Sequence, residues 1–153
     1  MKYLRWVLAF TAVILVCAAV FHYGAANNAK LAVVSLVPGD ISWGTDPELH
    51  GLETAALAGD PNILAPYAQR IRIPANRKLA PHSHPNRAGM ITVLSGTLYF
   101  AYGDKFDETK LKELPAGSFF TEPKGMPHYA LTKGEDAVLQ INAIGADGTA
   151  YVK

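Results

Sequence analysis

From residue 31 onward the chain reads as short apolar runs broken by turn residues. Segments rich in Val, Ile, Leu, Tyr and Phe fall at 31–37, 52–58, 66–73, 79–83, 90–102, 118–122, 127–132 and 137–145. Between them lie PGD, GDPN, IPAN, SGT, LPAG, EPKG and TKGED. Runs of this length with such punctuation predict β-strands joined by tight turns. Alternation is clearest around residues 69–73, where Arg70 and Arg72 share one face and Gln69, Ile71 and Ile73 the other. The apolar set should face the interior. That carries Gln69 either to a bound molecule or to a backbone group at the rim. The segment FDETKLKEL, 106–114, predicts instead a helical turn or a solvated loop, with Glu108 and Lys112 four apart. Ten prolines argue against long helices. The spacing suits a sandwich or barrel built of hairpins.

The first 26 residues have a different texture. A basic start, MKYLR, precedes sixteen residues without charge, Trp6 to Phe21. Gly24 and Ala26 then supply the small residues that a signal peptidase requires. Residues 1–26 therefore read as a secretory signal cleaved before Asn27, with 27–153 as the folded domain. The alternative is an uncleaved membrane anchor over residues 6–26, close to the ~20 apolar residues a spanning helix needs. In both cases the domain is expected outside the cytoplasm, periplasmic or secreted, touching a membrane only if the segment is retained.

Charge is nearly balanced, with 14 basic and 13 acidic residues, which disfavours a nucleic-acid partner. The single cysteine, Cys17, lies within the apolar run, so the domain has no disulfide and no thiolate ligand. The chemistry that remains centres on histidine. His82 and His84 are two apart at the end of a predicted strand, so they project from one face. Imidazole is a common ligand of divalent metals, and a facing strand would have to add the third donor. His128, which opens a strand just after Pro123, Gly125 and Pro127, is the candidate.

These residues resemble the two motifs of the cupin superfamily. The second, G-x5-P-x-G-x2-H-x3-N, is matched by Gly117, Pro123, Gly125 and His128, with Thr132 replacing the final Asn. The first, G-x5-H-x-H-x3–4-E-x6-G, is matched by His82, His84 and Gly96, with Asn76 replacing the opening glycine. The resemblance implies an all-β double-stranded β-helix, the jelly-roll barrel, with a metal near its mouth. It also implies that His82, His84 and His128 are the ligands of a divalent transition metal: Fe, Zn, Mn, Ni or Cu. Cupins often pair sheet to sheet, so a homodimer is compatible.

The family's acid is missing, because Gly89 stands where the glutamate should be and no carboxylate lies between His84 and Gly96. Three outcomes follow. The site binds metal through three neutral histidines, as the thiol-dioxygenase branch does. Or Glu122, six residues before His128, substitutes as a ligand. Or tight metal binding is lost and the barrel holds a small molecule alone. Gln69 and Tyr99 are candidate substrate contacts; of Tyr99 and Phe100, the one facing inward should mainly pack the core. The function expected is an extracytoplasmic metal-binding cupin, in its most concrete form an oxygenase-type enzyme on a small polar or anionic substrate. The alternative is a non-catalytic cupin that captures a small molecule or a metal.

Overall fold

The structure, a computed structural model, describes residues 32–45 and 51–153; the signal or anchor segment lies outside the described residues. The strands are β1 (Gly44–Thr45), β2 (Glu53–Ala58), β3 (Pro66–Ile73), β4 (Lys78–Ser83), β5 (Ala88–Ser95) and β6 (Thr97–Tyr102). They continue as β7 (Lys112–Pro115), β8 (Phe119–Glu122), β9 (His128–Leu131), β10 (Ala137–Ile144) and β11 (Ala150–Tyr151). All pair antiparallel in two sheets. One runs β1-β2-β3-β10-β5-β8 and the other β11-β4-β9-β6-β7. This is the expected double-stranded β-helix. Among the described residues no helix is long and apolar enough to cross a membrane.

The interior is built by the period of two. Ile73 on β3, Ile91 and Val93 on β5 and Leu98 on β6 are almost wholly buried. Outward on β3, Arg72 pairs with Glu53 and stacks over Trp43 with its guanidinium carbon 4.3 Å from the ring centroid. That contact ties the segment around β1 to the barrel, and it exposes the arginine face while Ile71 and Ile73 turn in.

Three sequence expectations need correction. Residues 32–37 form no strand, because Val33, Val34, Leu36 and Val37 are exposed and gain no sheet partner. The span 90–102 is two strands, broken at Gly96. A Cβ there would lie 2.0 Å from the carbonyl oxygen of Asp136, and its φ of 69° is left-handed, so only glycine fits. The helical turn expected over 106–114 is confined to a 3-10 turn, Glu108–Lys110, followed by β7. Asp107 caps that turn by accepting from the Thr109 amide at 3.0 Å. Leu114 then turns inward and is buried, which makes the rest of the span a strand.

The turn joining β3 to β4 aims the histidines. Asn76 has φ 57° and is the only non-glycine among the described residues with a left-handed backbone. Asparagine tolerates that conformation better than most side chains, which explains how it replaces the motif's glycine. Thr132, replacing the motif's asparagine, pins the same turn. Its hydroxyl donates to the Pro74 carbonyl at 2.5 Å and accepts from the Arg77 amide at 2.9 Å.

Candidate metal centre

His82 lies on β4, His84 just beyond it, and His128 opens β9 directly opposite His82 in the sheet register. The i, i+2 spacing and that register bring three rings together. Their centroids are 5.3 Å (His82–His84), 4.4 Å (His82–His128) and 5.2 Å (His84–His128) apart. One ring nitrogen from each lies within 4.8 Å of the others. His84 and His128 are buried and His82 partly so.

The second nitrogen of each ring decides what the first can do. Nδ1 of His82 is 2.7 Å from the Ala80 carbonyl oxygen, that of His84 2.8 Å from Gly148, and that of His128 3.0 Å from Met126. A carbonyl oxygen only accepts, so each Nδ1 carries the proton. In the neutral ring, Nε2 then presents a lone pair. Burial lowers all three histidine pKa values below the ordinary 6.5, which keeps the rings neutral at pH 7. The His128 Nε2 is buried and has no hydrogen-bond partner, which fits a ring nitrogen that donates its lone pair to a metal ion.

Glu122 turns into the same site. It is 8% exposed, with Oε1 3.5 Å from His128 Nε2 and Oε2 3.5 Å from His84 Nε2. Its register partner across the β5–β8 ladder is Gly89, the position of the missing acid. Arg87 binds it: Nη1 donates to Oε2 at 2.7 Å, while Nε donates to Asp147 Oδ1 at 2.7 Å. Gln69 completes the chain by donating to Asp147 Oδ2 at 2.7 Å. Burial alone would raise the Glu122 pKa, but the Arg87 guanidinium together with the His128 and His84 rings more than offsets it and holds the carboxyl below the usual range. Asp147 shows the same balance, burial opposed by Arg87. One arginine between two carboxylates leaves the cluster at −1, which suits a 2+ ion.

The sequence-predicted residues thus separate. His82, His84, His128 and Glu122 converge, and Gln69 joins them through Asp147. Tyr99 does not, a correction to its candidate role in substrate contact. It sits on the outer face of β6 with Lys133 Nζ 3.9 Å from its ring centroid. Phe100 is the inward neighbour, packed 5.5 Å from the His128 ring. Arg87 and Asp147 were not found by sequence. Arg87 sits in a polar turn, PNRAG, and Asp147 in another, GADGT, and only the fold brings them together. The available signal was Gly89 itself, where a Cβ would lie 2.5 Å from Arg87 Nη1 and 3.4 Å from Glu122 Oε2.

Comparison with known proteins agrees with this geometry. A family model described as a cupin domain matches residues 69–143, a span that holds all three histidines, Arg87 and Glu122. Putative germin-like protein 2-1 of Oryza sativa subsp. japonica is 30% identical over 107 residues, covering 69% of this chain and 45% of that protein. Putative germin-like protein subfamily 1 member 12 of Arabidopsis thaliana is 23% identical over 140 residues, covering 90% and 59%. The chain spans about a third to three-fifths of the length of such curated relatives. Among solved structures, the polyketide cyclase RemF from Streptomyces resistomycificus is similar with a TM-score of 0.63 and 17% identity, covering 80% of this chain and 87% of that one. KdgF from Halomonas sp. gives 0.58 and 18%, covering 74% and 94%. At these identities the likeness is one of fold.

Proposed function

The chain belongs to the cupin superfamily, and from that premise we propose that it is a metal-dependent cupin whose barrel binds a small organic molecule beside the ion. His82, His84 and His128 hold the ion through Nε2, and Glu122 adds an oxygen through Oε1. The observation that carries this is the set of three Nδ1–H groups committed to carbonyls, which leaves each Nε2 free as a donor in a cluster whose ligand atoms lie within 4.8 Å of one another. A mixed imidazole–carboxylate donor set suits Fe, Zn, Mn, Ni or Cu. When bound, such an ion supplies a Lewis acid that coordinates and polarises an oxygen of the guest.

The chain's own residues do the rest. Arg87 holds Oε2 of Glu122, leaving Oε1 free beside His128, and Asp147 and Gln69 hold Arg87 in turn. Such outer partners commonly tune affinity by about 10–100-fold. A 2+ ion would raise the cluster from −1 to +1, which favours a guest that approaches with an anionic or electron-rich oxygen. The character of residues 1–26 supports work outside the cytoplasm.

A second reading, capture without turnover, is favoured by one observation. The two carboxylates nearest the centre are both tied to Arg87 and held ionised, so neither carries a proton to donate at neutral pH. Elemental analysis of the purified full chain tests the metal centre common to both. About one equivalent of a first-row transition metal is expected, lost in His82→Ala/His84→Ala and held at least tenfold more weakly in Glu122→Gln. No metal in the parent protein would overturn the proposal, and unchanged affinity in Glu122→Gln would remove Glu122 from the ligand set.

A further inference from the structure

A cavity of about 370 Å³ opens beside the centre, and its walls do not suit the small polar guest expected from sequence. One end is polar, with His82, His84, Gln69, Arg87, Glu122 and Asp147. Beyond it the lining is aliphatic: Leu52, Ile71, Ile73, Leu79, Leu139 and Ile141. The slot follows the strands. From Gln69 to Ile73 on β3, and from His82 back to Lys78 on β4, it runs four residues, or about 13 Å at ~3.3 Å per residue. The register agrees, since Ile141 and Leu139 on β10 lie opposite Gln69 and Ile71.

The far end carries charge again. Arg77 and Lys78 line it. Lys78 places Nζ 3.6 Å from the Phe106 ring centroid, so its charge is partly answered there. Arg77 has neither an acidic nor an aromatic partner among the described residues, and its Nε is buried with no hydrogen bond. At the histidine end, by contrast, Arg87, Glu122 and Asp147 satisfy one another.

We propose that the guest is an elongated amphipathic acid, with an oxygen donor at the histidine centre, a straight aliphatic body along the slot and a carboxylate on Arg77. The oxygen end rests on the metal reading above. The aliphatic body and the Arg77 contact do not.

Straight-chain dicarboxylates of about four, seven, ten and thirteen carbons, bracketing a ~13 Å slot, are suitable probes. Binding to the zinc-loaded full chain is measured by calorimetry, beside monocarboxylates of matched length. Affinity should rise with length to about ten carbons and then fall. At the best length the diacid should bind about tenfold tighter than the monoacid, and Arg77→Gln should erase that preference while Arg77→Lys keeps part of it. Equal or tighter binding of the shortest diacid would overturn the proposal. So would a diacid preference that survives Arg77→Gln. Because the comparison of diacid with monoacid is made on the parent protein, a misfolded variant does not remove the test. If the protein takes up no zinc, the long monoacid should still bind and should weaken about tenfold in Arg77→Gln. That pattern would sink the metal reading and leave this one standing, whereas no dependence on length or on Arg77 would sink this one alone.

Discussion

Replacing Gly89 by alanine adds one methyl group at the place where the family's carboxylate is missing. The backbone there is not left-handed, so the added atom acts only through the space it needs. Its Cβ would lie 2.5 Å from Arg87 Nη1, 3.0 Å from Ile91 Cδ1 and 3.4 Å from Glu122 Oε2. Comfortable separations are about 3.5–4.0 Å, so the guanidinium must retreat by about 1 Å. Arginine can usually do so at little cost, but this one is 2% exposed and bonded at 2.7 Å to Glu122 on one side and Asp147 on the other. A 1 Å shift stretches one of those bonds to about 3.7 Å, beyond hydrogen-bonding range. Overpacking and a weakened charged hydrogen bond together should cost about 2–4 kcal/mol. The lower entropy of the unfolded alanine chain returns about 0.5–1 kcal/mol. A net loss of about 1–3 kcal/mol is expected in urea unfolding of the metal-free full chain. Because Glu122 loses its anchor, metal affinity measured by chelator competition should fall about 10–100-fold, although no donor atom has been removed. Gly134→Ala is the control, since nothing lies within 4 Å of its added Cβ. If Gly89→Ala matches the parent in both assays, the Arg87–Glu122 pair is not the rigid unit described here.

Three further outcomes follow from the same contacts. Arg87→Met removes the cation between two acids, and unfolding experiments should show a loss of about 3–5 kcal/mol, most of it from Glu122, the more deeply buried of the two. In metal-free protein, stability should decline as pH falls through 6.5. The histidine pKa values are lowered on folding, so below 6.5 the unfolded chain binds more protons than the folded one. A second decline should begin near 4.5 and 3.8, the ordinary values of Glu122 and Asp147, as these depressed carboxylates are titrated toward their folded-state values. A urea midpoint unchanged from about pH 8 to about pH 5 would contradict the first part. Thr132→Val strips both hydrogen bonds from the turn at Asn76, and should cost about 1–3 kcal/mol and loosen metal binding, measured in the same pair of assays.

What could be read from the sequence was whatever is written in local spacing. The pair His82 and His84 shares a face by strand geometry alone, and motif spacing brought in His128, 44 residues after His84. The direction of Glu122 was not legible, because it precedes Pro123 and strand parity is lost at such a boundary. It was settled by the β5–β8 ladder, which places Glu122 opposite Gly89. Strand β7 was hidden because KLKEL has the charge spacing of an exposed helix, and only burial of Leu114 against the core marks it as a strand. Arg87 and Asp147 carry no periodic signal. Their contact spans 60 positions and joins two turns, so it exists only after both sheets have closed.

The hydrogen bond on His84 sets an order of events for the making of the site. His82 and His128 each donate to a carbonyl two residues back in their own segment, so their tautomers are fixed locally. His84 instead waits for Gly148, 64 positions later, and Arg87 waits for Asp147 beside it. During synthesis, all three histidines and Glu122 emerge before the groups that orient two of them exist. A ribosome-bound chain ending short of that turn holds the donors without their alignment. It should therefore bind metal loosely and exchange it freely. Tight capture is deferred until the chain has passed Gly148, so the donors are made well before the contacts that align them.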